Sequence, residues 1–118
     1  MSDCLFCRIA AGSIPSQKVY EDDEMLVFRD IAPARPVHVL LIPRKHIASL
    51  ASVTPEDAPL LGRMLARANA IAIAAGSPDG FRLIINTGWI GGQEVPHLHL
   101  HIIGGPNPVG PMLKRSEE

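Results

Sequence analysis

Late in the chain, His97, His99 and His101 alternate with Leu98 and Leu100 and are followed by Ile102 and Ile103. Strand side chains change face at every residue, so on a strand the three imidazoles project to one side and the aliphatics to the other. Neutral imidazole keeps one bare ring nitrogen at pH 7, and with a pKa of about 6.5 a neighbouring ring can carry the proton. Such a group suits two chemistries: metal ligation, or nucleophilic attack with acid–base support. Alternate residues on a strand lie about 6.8 Å apart, so binding one metal through all three would need strongly converging side chains. Just upstream, Gly91-Gly92-Gln93 offers bare backbone whose N–H groups can approach an anion, which favours phosphate chemistry.

The elements that must hold these residues read as follows. Asp3 caps a short helix running to Ala10 and ended by Gly12, with Cys4 and Cys7 at i and i+3 on one face. Two cysteines so close cannot staple a domain, which leaves reduced thiols or metal ligands. Residues 17–21 and 25–29 form a hairpin about Asp22-Asp23-Glu24. Residues 31–36, with two prolines, are a loop, and 37–42 form a buried strand in which His38 shares a face with Leu40 and Ile42. Thr54 caps the long helix with Pro55 at its first position. The helix carries Leu61, Met64, Leu65, Ala68, Ile71, Ala72 and Ala75 on its apolar stripe and stops at Gly76. Pro59 should bend or loosen its first turn. Strands follow over 81–86 and 95–103, and the tail from Gly104 to the end is irregular. One α+β domain over residues 1–118 is expected, with a mainly antiparallel five-stranded sheet, one long helix and a short N-terminal helix.

With 11 Lys and Arg against 12 Asp and Glu the net charge is -1, so no basic face suggests nucleic-acid binding, and an anionic ligand must be held by local donors. The N-terminal segment lacks the pattern of a leader and no apolar run could span a bilayer, so a soluble, cytoplasmic protein without a membrane partner is expected.

The run Gly-Gly-Gln-Glu-Val-Pro-His-Leu-His-Leu-His-Ile-Ile resembles the signature of the histidine-triad superfamily. The resemblance extends in order through Cys-Leu-Phe-Cys-Arg-Ile, Ile-Pro, Tyr-Glu-Asp-Asp, Phe-Arg-Asp-Ile, Pro-Arg-Lys-His-Ile and Ile-Ile-Asn, and covers nearly the whole chain. The nearest branch is similar to the Hint proteins, nucleoside phosphoramidases, of bacterial type.

The resemblance implies a purine nucleoside 5'-phosphoramidate hydrolase working through a nucleotidyl-histidine on His99, with no cofactor needed for the chemistry. Its alternatives are a dinucleoside polyphosphate hydrolase and a non-catalytic nucleotide-binding or interaction module. His101 and the backbone around Gln93 and Glu94 would steady the phosphate, the carbonyl of His97 would orient His99, and His38 would assist behind His99. Leu5, Phe6, Ile9, Ile14, Phe28 and Ile31 would form the purine slot, Asp30 would take the ribose hydroxyls, and Asn86 and Gly92 would complete the site. His101 stands where the transferase branch has Gln, which favours hydrolysis; Pro96 replaces an aromatic residue often found before the triad, which opens the question of P–N against P–O–P substrates. Some bacterial relatives hold structural zinc with residues matching Cys4, Cys7, His46 and His97. Purine nucleotides such as AMP or its phosphoramidates, and a second copy of the chain in a homodimer, are the partners the resemblance implies.

Overall fold

The computed structural model describes residues 3–113, and the end of the tail, 114–118, lies outside the described residues. Helix α1 spans Leu5–Ala10, strands β1 Lys18–Glu21, β2 Met25–Arg29 and β3 Val37–Pro43, helix α2 Ala58–Ala75, and strands β4 Arg82–Ile84 and β5 Leu100–Gly104. The five strands form one sheet in the order β1-β2-β3-β5-β4, and every neighbouring pair is antiparallel. This is the α+β architecture expected.

Alternation sorts the apolar residues onto two faces. Met25, Val27, Val39, Leu41, Leu100 and Ile102 pack under α2 with Met64, Ala68, Ile71 and Ala72. Leu26, Phe28, Leu40 and Ile42 pack on the other face, under Phe6 and Ile9 of α1. That second face is the one that His38 and His101 share, since β3 and β5 pair Leu40 with His101.

Several boundaries differ from expectation for identifiable reasons. The cap of α1 is Cys4, whose sulfur accepts from the Cys7 N–H at 3.4 Å, and not Asp3. The segment at Thr54 opens as a 3-10 turn over Pro55–Asp57, and α2 proper begins at Ala58. Pro59 thereby falls in the first helical turn, where a missing N–H costs nothing. Leu65 is exposed, whereas Met64, Ala68, Ile71, Ala72 and Ala75 are buried. The strand expected over 81–86 pairs only at Arg82–Ile84, and the one expected over 95–103 begins at Leu100. Pro96 has no N–H to donate, the His97 N–H turns back to the Val95 carbonyl at 2.8 Å, and the Leu98 N–H goes to Ile47 at 2.6 Å. His97 and His99 thus sit on an extended lead-in to the strand, and only His101 lies on β5 itself.

Candidate active site

The carbonyl of His97 accepts a hydrogen bond from His99 Nδ1 at 2.7 Å. A carbonyl oxygen can only accept, so Nδ1 carries the proton and Nε2 of neutral His99 presents a bare lone pair. His99 is buried, with Phe6 edge-on to its ring at 5.1 Å between centroids and His101 at 5.0 Å. The orientation is therefore fixed by one hydrogen bond and two ring contacts.

A second chain of bonds sets His101. The backbone N–H of Ala34 donates to His38 Nδ1 at 3.0 Å, so neutral His38 must carry its proton on Nε2. That nitrogen lies 2.9 Å from His101 Nδ1 and 3.4 Å from Asp30 Oδ2. His101 Nδ1 then accepts, and its own proton sits on Nε2, a neutral donor. Burial, reinforced by the neighbouring His99 and His38 rings, pushes the His101 pKa down to about 4. Burial likewise lowers His38, opposed by the Asp30 carboxylate. His38 thus stands behind His101, and the expected assistance behind His99 is corrected: the hydrogen bond that orients His99 comes from the backbone carbonyl of His97.

These groups open into a cleft of about 1150 Å³. Leu5, Phe6, Ile9, Ile14, Phe28, Asp30, Ile31, Asn86, Gly92 and Glu94 all line it, with His38, His99 and His101. Leu5 and Ile31 are exposed there, which is unusual for apolar residues that serve only a core. Asp30 also holds its own loop, Oδ1 accepting from the Ala32 N–H at 2.8 Å. Pro15, Ser16, Gln17, Leu40 and Val95 line the cleft as well; Leu40 shares a face with His38 and Pro15 and Val95 stand within the family motifs, whereas Ser16 and Gln17 had no sequence signal.

Gln93 is the exception and corrects the expectation for the glycine-rich loop. Its Oε1 accepts from the Gly88 N–H at 3.0 Å, its Nε2 donates to the Ala48 and Val95 carbonyls at 2.7 and 2.9 Å, and its backbone N–H goes to Gly88 at 3.0 Å. The N–H groups of Gly91 and Gly92 are spent on Thr87 and Trp89. The loop ties itself together about Gln93 and offers none of these donors to an anion. Gly91 is needed for space, since a Cβ there would stand 2.5 Å from the Thr87 carbonyl oxygen.

His97 points elsewhere. Its Nε2 donates to the Pro43 carbonyl at 2.8 Å, leaving Nδ1 bare and facing Cys4 Sγ at 3.2 Å, Cys7 Sγ at 3.5 Å and His46 Nδ1 at 3.2 Å. Cys7 Sγ and His46 Nδ1 are 3.3 Å apart, and the four donor atoms lie within 4.8 Å of one another. Two sulfurs and two imidazole nitrogens, one with its tautomer already set for ligation, match the donor set of a tetrahedral zinc site.

Over residues 3–116 the sequence matches the family described as scavenger mRNA decapping enzyme C-term binding. It is 58% identical over 106 residues to Protein HitA of Neisseria gonorrhoeae, covering 90% of this chain and 99% of that one. It is 46% identical over 112 residues to the purine nucleoside phosphoramidase of Escherichia coli, covering 94% and 93%. Among solved structures, a HIT family hydrolase from Legionella pneumophila matches with a TM-score of 0.85 and 48% identity over 92% of this chain and 100% of that one. One from Clostridium thermocellum matches with a TM-score of 0.87 and 38% identity over 96% and 99%.

Proposed function

The chain belongs to the histidine-triad family of hydrolases, and from that premise we propose that it hydrolyses purine nucleoside 5'-phosphoramidates through a nucleotidyl intermediate on His99. The observation that carries this reading is the geometry of His99: Nδ1 pinned to a carbonyl, Nε2 bare, at the wall of a cleft large enough for a nucleotide. The relative named purine nucleoside phosphoramidase supports the substrate class.

In the first step His99 Nε2 bonds to the α-phosphorus while the P–N bond breaks, its electron pair passing to nitrogen, which takes up one proton. In the second, water bonds to phosphorus, loses a proton and displaces His99 with its lone pair restored. Amine and nucleoside monophosphate are the products, and one hard displacement has become two easier ones. His101, neutral at pH 7 with Nε2–H outward, donates to a phosphate oxygen as charge builds on it. The apolar slot about Phe6, Ile9 and Phe28 takes the base, and Asp30 the ribose hydroxyls. Cys4, Cys7, His46 and His97 would hold a structural zinc ion, which would tie the start of α1 to the segments carrying His46 and His97 and supply no chemistry at phosphorus. The protein works as a cytoplasmic homodimer joined through its sheet edges.

Incubation with adenosine 5'-phosphoramidate followed by chromatography should yield AMP, and rapid quenching should trap AMP on His99. His99→Ala should bind AMP and lose turnover by about 10³-fold or more. Binding with no turnover in the wild type would instead identify a nucleotide-binding module.

A further inference from the structure

The face of the sheet that carries His101 continues beyond it. Register places Ile84 beside His101 and Arg82 beside Ile103, with His38 on the other side of Ile103, so Arg82 stands on the face of these histidines. A second cavity of about 170 Å³ opens there among Arg35, Arg82, Ile84, Ile103, Val109 and Pro111. It flanks His101 and His38 on the side away from the base slot, since the slot lies over β2 and α1 whereas Arg82 lies on β4.

Among the described residues, Arg44, Arg63 and Arg67 each meet an acidic side chain, and neither Arg35 nor Arg82 does. Arg35 donates to the Ala34 and Val109 carbonyls at 2.8 and 3.0 Å, and Arg82 to the Gly110 and Pro111 carbonyls at 2.8 and 3.3 Å. Carbonyls fix a guanidinium without neutralising it. Each has five N–H donors, and these bonds leave most of them open. Two positioned, uncompensated cations beside a partly apolar cavity are suited to a carboxylate or a phosphate, which guanidinium binds in a two-pronged manner.

We propose that Arg35 and Arg82 form a leaving-group subsite that selects nucleotide substrates whose departing amine carries an anionic group. This rests on the hydrolase reading above. In-line attack by His99 Nε2 leaves the departing nitrogen on the far side of the phosphorus, over the sheet face, and a substituent on it that turns away from the base slot runs towards β4, where Arg82 neighbours Ile103 and Ile84 neighbours His101.

The test uses three adenosine 5'-phosphoramidates, N-linked to glycine, to glycinamide and to phosphoethanolamine, with kcat/KM measured for each. The decisive quantity is the preference for a charged over a neutral leaving group, compared between wild type and an Arg35→Gln/Arg82→Gln double variant. Intrinsic amine reactivity cancels in that comparison. The double substitution should reduce the preference by about 10-fold or more, and added salt should reduce it in the wild type alone. Loss of preference for the glycine compound assigns a carboxylate, for the phosphoethanolamine compound a phosphate. The single variant Arg35→Gln, at an exposed position, serves should the double variant fold poorly. A preference equal in wild type and variant, with all compounds hydrolysed, overturns the subsite and leaves the hydrolase reading standing. Absence of any hydrolysis overturns the hydrolase reading, and calorimetric affinities of the glycine and glycinamide compounds then decide the subsite. Equal affinities, or no binding, overturn it.

Discussion

Three imidazoles that look equivalent along the chain do not carry their protons alike: His99 holds its proton on Nδ1, His97 and His101 theirs on Nε2, because each has a different acceptor or donor fixed to it. The carbonyl of His97 puts the His99 proton on Nδ1, and the Ala34 N–H puts the His38 proton on Nε2, which in turn sets His101. His38→Ala should free His101 to take either tautomer and lower kcat by about 10- to 100-fold with a smaller effect on KM, as loss of an orienting partner does. His38→Gln, whose amide can still donate to His101 Nδ1, should recover part of that loss. An alanine variant of unchanged kcat would show that His38 only fills space. The same burial makes the fold sensitive to acid. His101 titrates at about 4 when folded and at about 6.5 when unfolded, so between these values the unfolded chain binds more protons and stability falls as pH drops. His38 shifts in the same direction. Urea midpoints should therefore decline from pH 7.5 to pH 5, and less steeply in His101→Asn; equal slopes in the two proteins would refute this origin of the effect.

Elements bring these residues together, and one close approach sits at the buried end of β5. A Cβ on Gly104, the last residue of β5, would stand 2.1 Å from Ser77 Oγ and 2.8 Å from Ser77 Cβ. Ser77 is buried, and its hydroxyl donates to Gly80 at 2.6 Å and accepts from the Gly105 N–H at 3.0 Å, joining the end of α2 to the start of the tail. Gly104→Ala should cost about 2 kcal/mol or more in chemical denaturation, and a cost below about 0.5 kcal/mol would mean that this joint yields easily. Period-two and helical spacing made the sheet, α2 and the sharing of a face by His38 and Leu40 legible in the sequence, because one-sided burial imposes those periods. The spacing of His97, His99 and His101 equally suggested one continuous strand with three similar side chains. What interrupts it is not periodic: Pro96 lacks a donor, and the next two N–H groups are drawn to Val95 and Ile47. The glycine loop misled for a related reason. Sequence shows bare backbone at Gly91 and Gly92 but not that Gln93, from the loop's end, gathers it inward. The cleft lining at Ser16 and Gln17 depends on how the α1–β1 connection crosses the sheet, which no local pattern encodes.

At the scale of the whole molecule, three segments distant in sequence meet at one small volume: the start of α1 with Cys4 and Cys7, the connection after β3 with His46, and the lead-in to β5 with His97. The same His97 whose Nδ1 faces that cluster offers its carbonyl to His99. An ion bound there would act on folding and on the ring of His99 through one residue. A metal that binds only the folded chain stabilises it in proportion to its binding, and the ordering of His97 should be transmitted to the ring of His99. The purified protein, grown with adequate metal, should contain zinc near one ion per chain by elemental analysis. Chelation, or Cys7→Ser, should lower Tm by about 5 °C or more, the shift expected for a loss of order 1 kcal/mol in a domain of this size. The metal-free protein should still form the nucleotidyl adduct on His99, because none of the four side chains lines the cleft, but more slowly, because His97 is then held only by its bonds to the Pro43 and Val95 carbonyls. A stoichiometry near zero with an unchanged Tm would leave the four side chains as a hydrogen-bonded cluster. An adduct abolished outright on chelation would instead place the metal in the chemistry, against the separation of the two sites by the ring of Phe6, which stands 6.0 Å from His97 and 5.1 Å from His99 between centroids.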